Sequence, residues 1–190
     1  MSTLAVNTIQ AQTGTTVSVP SSQVLHAPGH VIQVQKATIN TRTTFTSTTY
    51  VSSGLALNFT PKRSTSMLHI MCTGTLSDAA SQATVGAVFK RVIGASTSYS
   101  PLGNTGHGNI SSPDGATMGV YQGPDGGSNN KQTPFTMEWW DDTHNTTSQI
   151  TYTVMVANNG NGSFTTAFGG FANTDGYNIM STISIMEIAQ

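Results

Sequence analysis

A chain of 190 residues is long enough for one sizeable domain with a short appendage. Only 8% of its residues are charged, and 7 Lys plus Arg nearly balance 8 Asp plus Glu for a net charge of −1, so the surface must be built from neutral polar groups. That excludes binding through phosphate neutralisation, and nucleic acid as a partner with it, and no apolar run approaches the roughly 20 residues of a membrane-inserted helix.

The opening residues, Met1-Ser2-Thr3-Leu4-Ala5-Val6-Asn7, have neither a positive start nor an apolar stretch, so the chain is expected to be made and kept in a cytosol. Through residue 28 the apolar residues Leu4, Val6, Ile9, Val17, Val19, Val24 and Leu25 are interrupted by Thr-Gly-Thr, Pro-Ser-Ser and Ala-Pro-Gly. No face there is large enough to bury itself within one chain, so the segment is expected to order only against other copies or another protein. Pro28-Gly29 marks the junction, which gives residues 1–28 as an extended stem and 29–190 as a head domain.

From there the chain reads as strand and turn, because apolar residues alternate or form short β-branched runs bounded by Gly, Pro, Asn and Asp. The expected strands are Val31 to Ala37, Tyr50 to Phe59, Ser66 to Leu76, Thr84 to Val92, Thr117 to Tyr121, Gln132 to Trp140, Ser148 to Val156, Gly162 to Gly169 and Asn178 to Ile188. About nine strands at this spacing point to an all-β, antiparallel sandwich or jelly roll. Pro113-Asp114-Gly115, Pro124-Asp125-Gly126, the run Asn158 to Gly162 and Asp175-Gly176 carry the turn chemistry between them. The Thr-rich run Thr41 to Thr49 reads as neutral surface, and Thr97 to Gly115 and Gly123 to Asn130 read as long loops suited to recognition.

No constellation supports a reaction. Glu138 with Asp141 or Asp142 is the sole sequence-local pair of acids that glycoside hydrolysis could use. Strand alternation instead sends one of Trp139 and Trp140 to the core and the other outward, with Asp141-Asp142 opening the next turn. An outward Trp remains a sugar-stacking candidate, and Trp139, Trp140, His107 and Tyr121 are the possible ligand contacts. Cys72, the single cysteine, is expected to be a buried structural thiol, and it admits no intrachain disulfide. The five histidines share no metal-ligand spacing; only His26 or His30, converging on the axis of a parallel trimer, would surround an ion. No G-x-S-x-G elbow, Walker loop or dinucleotide fingerprint occurs, so neither an enzyme nor a cofactor is expected.

The opening Met1 to Gln10, the bridge Ala27-Pro28-Gly29-His30-Val31-Ile32-Gln33-Val34, the run Asp142 to Tyr152 and the ending Ser181 to Gln190 together resemble the short, tail fibre-like virion structural proteins of tailed bacteriophages of the cyanophage type. The resemblance does not extend over Gly94 to Asn130, where a receptor-reading loop would be expected to differ between relatives. It implies a β-sandwich head, usually trimeric, on a stem that attaches to other virion proteins, and a place in the virion after synthesis in the host cytoplasm. The expected partners are therefore the chain itself, the virion proteins met by residues 1–28, and a host surface glycan. A capsid decoration or cement protein is the alternative, with the same first 28 residues as a clamping arm, and a free carbohydrate-binding module is a third reading. A 28-residue stem spans at most about 100 Å, which suits a small spike or distal tip better than a long fibre.

Overall fold

Period-two patterning sets the strands. The structure, a computed structural model, describes residues 27–78, 84–100, 118–121, 131–158, 165–170 and 178–190. Its strands are β1 (Val31–Ile39), β2 (Thr43–Phe45), β3 (Val51–Phe59), β4 (Met67–Asp78), β5 (Thr84–Ile93), β6 (Ser96–Tyr99), β7 (Met118–Tyr121), β8 (Lys131–Asp141), β9 (Ile150–Asn158), β10 (Thr166–Phe168) and β11 (Ser181–Ile188), and no helix occurs among the described residues. Leu55, Leu57 and Phe59 on β3, Phe135, Met137 and Trp139 on β8, and Ile183 and Ile185 on β11 sit at every second position and are buried, while the residues between them face outward.

Two antiparallel sheets form. In the first, β1, β11, β4 and β8 lie side by side, with β10 and β2 continuing from β4 beyond the end of β11; in the second the order is β3, β9, β5, and then β6 and β7 share the far edge of β5. Setting aside the short β2, β6 and β10, the remaining strands taken in chain order line up 1-8-3-6 in one sheet and 2-7-4-5 in the other, which is the order of a jelly roll. The all-β sandwich expected from the pattern is therefore what the chain adopts. The core between the sheets is apolar, with Tyr152, Phe59, Phe89, Phe168 and Leu55 among its largest fully buried side chains.

Two strands escaped the pattern. Thr43–Phe45 lies inside the Thr-rich run read as surface, and Ser96–Tyr99 overlaps the start of a segment read as loop. Both are short edge strands held by backbone pairing, so neither needs the apolar alternation by which strands are recognised. Conversely the expected strand Asn178 to Ile188 begins at Ser181, after an isolated bridge between Gly170 and Asn178. In the expected strand Gly162 to Gly169, the observed β10 covers 166–168, and 162–164 lie outside the described residues. Most of the two expected loops, 101–115 and 123–130, and residues 1–26 of the stem lie outside them as well.

At the junction, Gly29 adopts φ +84°, a conformation open to glycine without strain. Its N–H donates to the Ala189 carbonyl at 2.7 Å, and the Ala189 N–H donates to the His30 carbonyl at 3.0 Å. The chain therefore enters β1 beside the end of β11. Gly54, at φ +85°, serves the β3 bulge between Ser52 and Ala56, where Thr43 Oγ1 donates to the Ser53 carbonyl at 2.7 Å and ties β2 of one sheet to β3 of the other.

Among the described side chains two carboxylates are buried, and each is satisfied. Glu187 is fully buried and accepts from the backbone N–H groups of Lys62 and Arg63 at 2.9 Å, from Ser66 Oγ at 2.7 Å and from Gln33 Nε2 at 2.6 Å. It fixes the β3–β4 connection, and His144 Nε2 donates to the Ser66 carbonyl at 2.8 Å to hold the same corner from the β8–β9 connection. Asp141, at the end of β8, accepts from Arg91 Nη1 on β5 at 2.6 and 2.7 Å and from the Tyr152 hydroxyl on β9 at 2.6 Å. This ion pair crosses from one sheet to the other. The Arg91 guanidinium also lies 5.4 Å over the Trp139 ring, and Trp139 meets Tyr152 edge-on at 5.8 Å.

Removing Arg91 would strand a buried carboxylate, so Arg91→Ala is expected to destabilise the fold by about 3–5 kcal/mol in urea denaturation, against under about 1 kcal/mol for the exposed Glu138→Ala; equal effects would contradict the clamp. Burial pushes the Cys72 thiol up from 9.0 to about 12, and burial followed by the Asp141 charge raises the Tyr152 phenol. Both groups keep in the fold a proton that the unfolded chain releases, so their contribution is intact below about pH 9 and is lost as pH climbs toward 12. Denaturation midpoints should fall across that window, and a thiol reagent should modify Cys72 only once the protein unfolds.

Candidate functional site

The outer face of the β1-β11-β4-β8 sheet is where exposed aromatic and apolar groups gather. Strand register places its outward residues in rows: Val34, Met186, His69 and Trp140 in one; Lys36, Ser184, Met71 and Glu138 in the next; and Thr38, Thr182, Thr73 and Thr136 in a third. Adjacent strands are about 4.8 Å apart, so each row crosses the sheet in roughly 14 Å. Val31 and Val34 are 47% and 58% exposed at the β1 edge, with half-buried Met67, Met71, Met186 and Ile188 nearby. The face is apolar toward β1, aromatic and acidic at β8, and hydroxylated in its Thr row.

At the β8 edge the side chains form a built cluster. Trp140 is 48% exposed, and His69 stacks on it with ring centroids 4.0 Å apart and planes 14° from parallel. His69 Nε2 lies 3.0 Å from Glu138 Oε2, and since an ionised carboxylate only accepts, Nε2 carries the hydrogen. His69 Nδ1 is buried and has no hydrogen-bond partner among the described residues. The imidazole is thus held by one stack and one hydrogen bond. The Glu138 side chain is 60% exposed, so its second oxygen is open to a partner. Among the described residues β8 pairs with β4 alone, so no described strand of this sheet flanks Trp140 on the side away from His69.

Alternation decides the tandem tryptophans. Trp139 faces the core at 7% exposure, whereas Trp140 faces out. The same alternation separates Glu138 from Asp141: Glu138 is on the outer face and Asp141 is buried in the Arg91 clamp, so these two do not flank one substrate, while Asp142, the other expected partner of Glu138, is exposed just past the end of β8. Asp141 ends β8 as an inward ion-pair partner, where the sequence pattern reads it as opening a turn. His30 turns back on its own loop, with Nδ1 2.5 Å from the Ala27 carbonyl oxygen. His26 and His107 lie outside the described residues, as does the side chain of Tyr121, whose backbone pairs with Thr84. Among the described residues no group of three or more His, Cys, Asp or Glu is placed to hold a metal ion. His69 was not singled out in the sequence; an outward position on a β4-type strand was its only local signal, and what brings it to Trp140 is a register between strands some 70 residues apart.

No protein-family model and no curated protein sequence matches the chain. Among solved structures it is similar to particles of T=1 symmetry derived from infectious bursal virus, at 10% identity and TM-score 0.35, covering 92% of this chain and 40% of that one. It is also similar to infectious bursal disease virus of the Gt strain (11%, TM-score 0.31, 98% of this chain and 43% of that one) and of the Gx strain (13%, TM-score 0.35, 92% and 41%). The chain thus spans about two fifths of the length of the viral chains it matches. The jelly-roll assignment stands on strand order and not on these likenesses.

The two tryptophans should separate in experiment. Acrylamide is expected to quench Trp140 and spare Trp139, and Trp139→Ala should cost about 3–5 kcal/mol of stability where Trp140→Ala changes it by less than about 1 kcal/mol. The opposite ranking in denaturation would mean that the β8 register is wrong.

Proposed function

We propose that this chain is a non-enzymatic virion structural protein that assembles as a homotrimer, attaches to other virion proteins through residues 1–28, and presents its jelly-roll head for host attachment as a small tail fibre-like appendage. The observation that carries the reading is the exposed apolar region of the outer sheet face, from Val31 and Val34 to Met67, Met186 and Ile188, in a chain of which only 8% of residues are charged. A patch of this kind marks an association surface. It adjoins the point where the chain enters the head beside Ala189, so partners gripping the stem and partners covering the patch meet at one end.

Three further features support the reading. The jelly roll is an architecture of capsid and lectin domains, an argument by analogy of fold. A surface with so little charge lacks the repulsion that keeps monomers apart. The sequence likeness to short phage virion proteins covers the first ten residues, the junction, the run Asp142 to Tyr152 and the last strand. The same head and stem would serve a capsid decoration protein, and location on the particle separates the two roles.

Antibody against the head, applied to intact particles and viewed by electron microscopy, is expected to label the tail. Label spread over the shell would establish the decoration role, and particles without label would refute a virion protein. Deleting residues 1–28 is expected to leave a folded head that no longer joins particles; loss of folding would show that the stem belongs to the core.

A further inference from the structure

The β8 edge of the outer face differs chemically from the apolar region near β1. Along β8 the outward residues include Pro134, Thr136, Glu138 and Trp140, spaced about 6.7 Å apart by strand geometry, and Asp142 beyond them is exposed. This is a single aromatic platform whose nearest neighbours along its own strand are the polar Glu138 and Asp142, with half-buried Met71 across from Glu138. The indole is held in place, since His69 stacks on one of its faces at 4.0 Å. A fixed ring gives up little rotamer freedom when something is laid on its other face. Glu138 is fixed as well, because His69 Nε2 holds one oxygen at 3.0 Å and leaves the other for a donor.

We propose that Trp140 and Glu138 form a binding site for a neutral hexopyranoside, with His69 positioning both. The axial C–H groups of one pyranose face carry partial positive charge and rest on the negative face of the indole. Hydroxyls at the edge of the sugar ring donate to the free Glu138 oxygen, a charge-assisted hydrogen bond. Thr136 and, on the neighbouring strand, Thr73 are exposed hydroxyls on the same face, in register with each other, and they extend the platform toward a second sugar unit. The carboxylate also sets selectivity. It repels uronate and sialate residues laid on Trp140, and a chain of net charge −1 has no positive field to offset that repulsion. In its biological setting the site rests on the surface-presenting role proposed above, but sugar binding is a property of the protein alone and fails or survives independently of where the protein sits on a particle.

The test titrates the full-length protein with gluco-, galacto- and manno-oligosaccharides and with alginate oligosaccharides as the acidic probe, following tryptophan fluorescence. At least one neutral series is expected to change the emission, and alginate is not. Trp140→Ala should weaken that binding about tenfold or more with the melting temperature unchanged. Glu138→Gln should keep neutral binding within a few-fold and admit alginate, which a merely structural Glu138 would not do. His69→Ala should shift the emission of Trp140 before any sugar is added and weaken binding, and His69→Gln, which can still donate to Glu138, should restore part of it. Absence of any response to the neutral series, or a response that survives Trp140→Ala, overturns the proposal. So does a Trp140→Ala protein that changes oligomeric state in sedimentation, which would make the ring a contact between copies. None of these results alters the antibody labelling, so a failed sugar site and a failed virion role are told apart.

Discussion

The Arg91–Asp141 ion pair is the constraint on which the rest of the described head depends. Asp141 is the last inward residue of β8, and an unpaired carboxylate in that position would be too costly to bury. Arg91 reaches it from the opposite sheet, Tyr152 donates to it from the neighbouring strand, and the guanidinium lies over Trp139, so one cluster joins β8, β5 and β9. Because strand side chains alternate, an inward Asp141 requires Trp139 to be inward and Glu138 and Trp140 to be outward. A one-residue slip of β8 against β4 would bury Glu138 and Trp140 and expose Trp139 and Asp141. The surface cluster therefore inherits its geometry from a salt bridge on the other side of the sheet.

Glu187 does the same for the far end of β11. Its carboxylate organises the Lys62-Arg63 backbone and Ser66, and through Ser66 the His144 corner. Some of the few charges are thus placed inside, where they fix connections, and those that remain outside, such as Lys36, Glu138 and Asp142, are sparse. On one sheet face the apolar half lies near Gly29 and Ala189, and the aromatic, acidic and hydroxyl-bearing half lies toward β8.

The long strands were legible in the sequence because their burial is one-sided and written in period two, as in Leu55-Ala56-Leu57-Asn58-Phe59 and Ile183-Ser184-Ile185. Thr43–Phe45 and Ser96–Tyr99 were not, since an edge strand of polar residues is selected by its neighbour's backbone and not by its own pattern. That Trp139 and Trp140 must part ways was also readable, but which one faced the core was settled by Arg91 and Tyr152, residues about 50 and 11 positions from Asp141. The same non-locality hid His69. Asp141 looked like a turn residue because its partner lies in another sheet, and its pairing with Glu138 failed because three residues along a strand reverse the face, whereas Asp142 stays exposed.

Assembly through a neutral surface is the claim at the centre of this account, and sedimentation of the full-length protein at low and at high salt measures it most directly. The account predicts a homotrimer at both, because screening removes little from an interface built with few charges. A monomer at both salt concentrations, or a trimer that dissociates as salt is raised, would contradict it.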